Sequence, residues 1–185
     1  MESLLTKEEL LLAVKGAQIG SADCLFNDVQ TDSRNVSSDK PCMFVPLMGE
    51  FQNGHKYIPS VLAADKKAAV ILLNESEYVK DSALYEKLAA ENPSVCFVRV
   101  ENTLHALQDA AEAYENSISN GSVNPEVYSD YAAVLAAIGR ADEAEKLLDE
   151  LRSKIPFGWK ERDAYVQKLE NGKFRVVYKQ VHQLN

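Results

Sequence analysis

Two short stretches of the chain carry side chains suited to holding a polar or anionic ligand. Thr31-Asp32-Ser33-Arg34 sets two hydroxyls, a carboxylate and a guanidinium side by side. Short hydroxyls bond polar edges and phosphate oxygens with no long side chain to order. The fork of Arg34 matches two oxygens of a phosphate. Further on, Gly49-Glu50-Phe51-Gln52-Asn53-Gly54-His55 combines a ring that can stack, polar side chains and a glycine that lets backbone approach a ligand. A plainer account exists for each. Asp32-Ser33-Arg34 also fits a capped turn closed by a surface ion pair, and His55 fits a structural loop histidine better than a catalyst.

No catalytic set accompanies these groups. Of the eight glycines, none opens the G-x-x-x-x-G-K-[ST] loop that cradles nucleotide phosphates, and Gly121 is followed by Ser-Val-Asn. His55, His105 and His182 lack metal-ligand spacing, and no Ser or Cys has a recognisable nucleophile context. Cys24, Cys42 and Cys96 are odd in number and widely spaced. They form neither a metal pattern nor a disulfide framework and read as buried thiols. The expectation is a chain without catalytic residues, metal or cofactor.

The elements that must position the two stretches follow from hydrophobic patterning. In 185 residues, 46% of them hydrophobic, there is enough apolar content for a real core. Thr6-Lys7-Glu8-Glu9 reads as a capping box opening a short helix through Leu10, Leu11 and Val14. A polar, irregular stretch covers Asp28–Asp39. Strand-like apolar runs fall at Cys42–Leu47, Ala68–Leu73 and Val95–Val100, with helices at Tyr57–Ala64, Ser82–Glu91 and Thr103–Ser117 between and after them. Non-alternating apolar runs separated by helices predict an α/β fold with a mostly parallel sheet covered on both faces. Ser119-Asn120-Gly121-Ser122 reads as a linker, dividing the chain into 1–118 and 119–185. Beyond it, two helices over Asn124–Pro156 break at Ile138-Gly139-Arg140. Tyr165–Leu169 and Phe174–Tyr178 then flank Asn171-Gly172, the signature of a two-residue hairpin turn. That register sets Leu169 against Phe174 and Tyr165 against Tyr178. Trp159 reads as a core or hinge anchor.

Charge narrows the partners. Up to Ile118 there are 10 Lys/Arg against 18 Asp/Glu; from Ser119 onward, 10 against 10. Neither part carries the basic excess that nucleic-acid binding needs. The acidic start lacks the features of a signal peptide, and no apolar run is long enough to span a bilayer, so a cytoplasmic chain without membrane contact is expected.

Thr31-Asp32-Ser33-Arg34, Phe44-Val45-Pro46-Leu47-Met48-Gly49 and Asn53-Gly54-His55-Lys56-Tyr57-Ile58-Pro59 also form an ordered set. Together with Val98–Ala111 they resemble the N-terminal domain of the Mur ligases, ATP-dependent enzymes that add amino acids to UDP-N-acetylmuramic acid, and most of all the type that adds D-alanyl-D-alanine. The resemblance covers residues 5–118. It departs from the pattern in a longer stretch between Arg34 and Phe44, and in Lys66-Lys67 where the family has Gly-Ala. It implies a domain holding the uridine-diphosphate end of a UDP-N-acetylmuramoyl-peptide or related UDP-sugar. Thr31, Ser33 and Arg34 would lie along the nucleotide; Gly49, Glu50, Phe51, Gln52, Asn53 and His55 would close over it. The family's phosphate loop, which follows this domain almost directly, is absent here, so the chain is expected to bind and not to ligate. The alternative is a protein-interaction or structural module that uses the C-terminal helical hairpin, with the first part as scaffold; an ATPase domain supplied by another chain is less favoured than either.

Asn124–Pro156 resembles a single tetratricopeptide repeat, through Tyr128, Ala132, Leu135, Gly139, Ala144, Leu148, Leu151 and Pro156. One repeat cannot bury its own apolar face. It must pack on the hairpin, on the first part of the chain or on a protein partner through 124–156. Ala141–Lys154 with Asp163–Tyr178 also resembles part of a SPOR domain, which requires a strand at Val127–Leu135 where the alanines favour helix. So abrupt a change of character fits a truncation, a natural fusion or a chimera.

Overall fold

A computed structural model describes residues 7–63, 65–66, 68–156 and 160–179. The readings at Thr6, Trp159 and His182 lie outside them. The chain runs α1 (Lys7–Ala13), β1 (Ala17–Ile19), β2 (Asp28–Gln30), a 3-10 turn (Ser33–Asn35), β3 (Cys42–Phe44), a second 3-10 turn (Gly54–Tyr57) and α2 (Ile58–Val61). It continues through β4 (Ala68–Asn74), α3 (Glu75–Lys80), α4 (Ser82–Glu91), β5 (Cys96–Val100), α5 (Thr103–Ser119), α6 (Pro125–Ala137) and α7 (Ala141–Lys154), and closes with β6 (Ala164–Lys168) and β7 (Phe174–Tyr178).

The fold is mixed α/β. Its five-stranded sheet has the order β1-β5-β4-β3-β2, parallel from β2 to β5 with β1 antiparallel at one edge. Strand β4 shows why the apolar runs do not alternate. Val70 and Leu72 enter one core while Ile71 and Leu73 enter another on the opposite face. The second core is covered by α2 and α4, through Ile58, Val61, Tyr85 and Ala89. The first is covered by α1, α5 and α6, and it does not stop at the linker. It runs from Leu10, Val29 and Val98 through Ala110 and Tyr114 to Tyr131, Leu148 and Val176. Tyr114 of α5 stacks on Tyr131 of α6, ring centroids 6.3 Å apart.

Ten residues of α6 are buried, which marks it as a core helix and not a surface one. It contacts α5, α7, β2 and β7. The apolar face that a lone repeat leaves open is thus covered by the hairpin and by the first part of the chain together. Gly139, at φ 85°, ends α6, and Arg140 N–H closes on Leu135 O at 2.9 Å. Because 125–137 is helical, the strand that the SPOR likeness requires is not there.

Three local expectations are corrected. Strands β1 and β2 fall where the sequence reads as helix end and irregular polar loop. Cys24 and Cys96 are joined as a disulfide, Cα atoms 5.4 Å apart and 72 residues apart in sequence. A pairing that long has no local spacing signal. Only Cys42 remains a buried thiol, its pKa pushed up by burial. The hairpin is also offset by one residue: Lys168 pairs with Phe174 and Ala164 with Tyr178. Gly172 N–H bonds Leu169 O at 2.9 Å, and Leu169 N–H bonds Lys173 O at 2.8 Å, enclosing Glu170-Asn171-Gly172. A two-residue type I′ turn demands positive φ at both central residues; here Gly172 alone adopts it, at 78°. The slip turns β6 over. Ala164 and Val166 face the helices in place of Tyr165 and Leu169, opposite Val176 and Tyr178.

Candidate functional site

Strands β2 to β5 are parallel, so their carboxyl ends share one edge of the sheet. Thr31–Arg34 leaves β2 there, and the loop to His55 leaves the adjacent β3. In open α/β sheets ligands bind outside this edge where the strand order reverses; here β2 to β5 lie in sequence order, and it is the two loops themselves that mark the place. Two cavities lie elsewhere. One of about 240 Å³ beside Ile19, Glu86 and Pro93 sits toward the amino end of β5, and one of about 370 Å³ lies between the α6–α7 turn and Phe174.

In the first loop, Asp32 caps the 3-10 turn by accepting the Arg34 N–H at 3.0 Å. It also takes a fork from the Arg34 guanidinium, Nε–Oδ1 3.0 Å and Nη2–Oδ2 2.6 Å. That contact holds the Asp32 carboxyl below its usual range. The loop is therefore a capped turn with an exposed ion pair. Such pairs contribute little, and the Arg34 side chain is 76% exposed, free to swing to a phosphate. Thr31 and Ser33 are half-buried beside it.

The second loop is built more firmly. Gly49 N–H bonds Gln52 O at 2.7 Å, and Gly54 N–H bonds Leu47 O at 2.9 Å, bringing Met48 opposite Asn53. The glycine that the backbone needs here is Gly54: a Cβ on it would meet Leu47 N at 2.9 Å and Leu47 O at 3.0 Å. Around Gly49 the nearest atom is an ordinary 3.5 Å away. Glu50 and Gln52 are exposed, and Phe51 is held out at 90% exposure.

His55 anchors this loop from beneath and does not reach its surface. Buried at 3% exposure, it lies with Nδ1 2.8 Å from Asn53 Oδ1, while Nε2 accepts the Asn74 N–H at 3.0 Å. A neutral ring with its proton on Nδ1 satisfies both contacts; a second proton would face the Asn74 donor. Burial, with Lys80 adding to it and Glu77 opposing, lowers its pKa from 6.5 to about 4. Between these values the unfolded chain binds the extra proton, so stability rises with pH through the window and is complete above it. Wild type is expected to lose on the order of 3 kcal/mol between pH 7 and pH 4 by this route. Urea melts of wild type and H55Q across the range isolate the term. Parallel curves for the two proteins would refute it.

The structure also adds groups for which the sequence has no signal. The β6–β7 hairpin lies along β2 and the first loop. Asn171 Nδ2 donates to Asp32 Oδ2 at 2.9 Å and to Asn35 Oδ1 at 3.1 Å. Arg175 donates to Asp28 and to the Asn35 carbonyl. Lys40 reaches Val176 O at 3.4 Å. Partners 136 to 147 residues apart leave no trace in local spacing. Among the described residues no helix is long and apolar enough to cross a membrane, and no group of three or more His, Cys, Asp or Glu could hold a metal.

The chain is similar to one known protein and, over a different span, to a family model. Over 113 residues, 60% of its length, it is 33% identical to the UDP-N-acetylmuramoyl-tripeptide–D-alanyl-D-alanine ligase of Treponema pallidum (strain Nichols). The match spans 23% of that relative, under a quarter of its length. Residues 104–169 match the tetratricopeptide repeat family model. That match begins inside α5, before the 119–122 linker, and takes in α6, α7 and β6.

Proposed function

We propose that this chain is a binding module for the uridine-diphosphate end of a UDP-N-acetylmuramoyl-peptide, and that it forms no bond itself. The observation that carries the reading is positional. The two loops that resemble the Mur ligase pattern leave neighbouring parallel strands at their carboxyl ends, one with a releasable Arg34 fork and one with Phe51 held in solvent. The relative's name, a ligase of UDP-N-acetylmuramoyl-tripeptide, supports the class of ligand. The missing phosphate loop supports binding without ligation. Phe51 stacks on the base and Arg34 meets the diphosphate.

Calorimetric titration with UDP-N-acetylmuramoyl-tripeptide tests this. Wild type is expected to bind, and F51A to bind about 5- to 150-fold more weakly, since base–aromatic stacking contributes ~1–3 kcal/mol. No heat at millimolar ligand from a folded protein would sink the reading. The tetratricopeptide match supports a second one, a protein partner on 124–156. Because α6 is covered and Ala144, Leu147, Leu148 and Leu151 of α7 point inward, such a partner would meet the charged outer face of α7.

A further inference from the structure

We propose that the Asn35 carboxamide reads the uracil edge of the bound nucleotide, and that Asn171 of the hairpin turn competes with the base for it. The proposal rests on the uridine reading above and adds to it a base-reading residue and a latch. Its basis is a reciprocal amide pair. Asn171 Nδ2 donates to Asn35 Oδ1 at 3.1 Å, and Asn35 Nδ2 donates to Asn171 Oδ1 at 3.4 Å. Each carboxamide thus presents a donor beside an acceptor. Uracil presents the same pair along one edge, the N3–H flanked by a carbonyl oxygen. A base that pairs with Asn35 must therefore displace Asn171.

Three features let the tip release while the rest stays in place. Asn171 is exposed. Its backbone keeps an ordinary negative φ, because Gly172 alone takes the positive value that the turn requires. The body of the hairpin is held independently: Val176 is buried, Glu145 accepts the Val166 N–H at 2.5 Å, and Arg152 donates to Ala164 O at 2.5 Å. The Arg175 guanidinium meanwhile fixes the Asn35 carbonyl, so Asn35 stays presented whether or not Asn171 engages it.

The test is calorimetric titration of the full chain with UDP and with 3-methyl-UDP, which lacks the N3–H donor. N171A is expected to bind UDP about three- to tenfold more tightly than wild type, the scale of the exposed hydrogen bonds it releases. N35A is expected to lose most UDP affinity, and wild type to prefer UDP over 3-methyl-UDP. Equal or weaker UDP binding by N171A overturns the latch alone. Equal binding of 3-methyl-UDP overturns base reading by Asn35. If neither wild type nor N171A binds UDP at millimolar concentration, with melting curves intact, the uridine reading itself fails and this proposal with it.

Discussion

Replacing Arg175 with alanine is expected to destabilise the chain by about 3–5 kcal/mol, the range for stranding one member of a buried ion pair. Asp28 lies in β2 with its side chain 1% exposed, and Arg175 in β7 is 14% exposed. The guanidinium reaches Asp28 Oδ2 through Nε at 3.1 Å and Nη2 at 3.0 Å. The other carboxylate oxygen accepts a neutral donor, Gln30 Nε2 at 3.1 Å. In R175A the carboxylate stays where the strand puts it, without its cation, and the Asn35 carbonyl loses a donor as well. A loss of this size is a large share of the 5–15 kcal/mol that a domain of this kind typically has. Replacing both partners by apolar residues of similar volume, D28L/R175M, is expected to recover most of it, since two desolvated charges are then removed together. Urea unfolding of both variants decides the matter. An R175A midpoint equal to wild type would show that the pair holds nothing.

The Asp28–Arg175 pair also explains what the sequence leaves hidden. Strands β3, β4 and β5 are legible because both faces of each are largely buried and apolar residues run without alternating with polar ones, Arg99 of β5 being their one charge. Helices α4 to α7 are legible from their stops: Asn92-Pro93 follows α4, 119–122 ends α5, and Ile138-Gly139-Arg140 separates α6 from α7. Strand β2 is Asp-Val-Gln, polar yet wholly buried, and its carboxylate is met by a guanidinium 147 positions later. No local pattern carries that. The same holds for the site. Phe51 and the Asn53–His55 turn announce themselves through ring, glycine and cap. Asn35 gains a side-chain partner only when Asn171 arrives beside it, and Asn-Gly suits a type I′ turn although the hairpin closes with a single positive φ at Gly172, one residue out of that register.

A chain cut after Ile118 is expected not to fold to a native monomer, although the resemblance that divides the sequence there implies a self-sufficient domain. The cut removes α6, eight of whose ten buried residues share one core with Val29, Met43 and Val45 of the sheet and with Tyr114 of α5. It removes Arg175 and leaves the buried Asp28 carboxyl of an edge strand without that partner. It also strips the hairpin from β2, leaving an uncovered edge open to pairing between molecules. Each fully exposed Val, Met or Tyr forfeits about 1.5–3 kcal/mol of burial, so a handful of them exceeds the whole stability of a small domain. Calorimetry and circular dichroism of the 1–118 fragment are expected to show no cooperative transition, with association visible by light scattering. A sharp two-state melt within a few degrees of the full chain would overturn this and make the C-terminal part an accessory. If the fragment does fail, the tetratricopeptide-like helices do a different job here from that of helix pairs in a repeat array. In a repeat array the inner face of each helix pair is buried by the next pair; in this chain it is buried by the parallel sheet. The sheet in turn depends on α6 to close the face beside β2, so neither part is a module that the other merely accompanies.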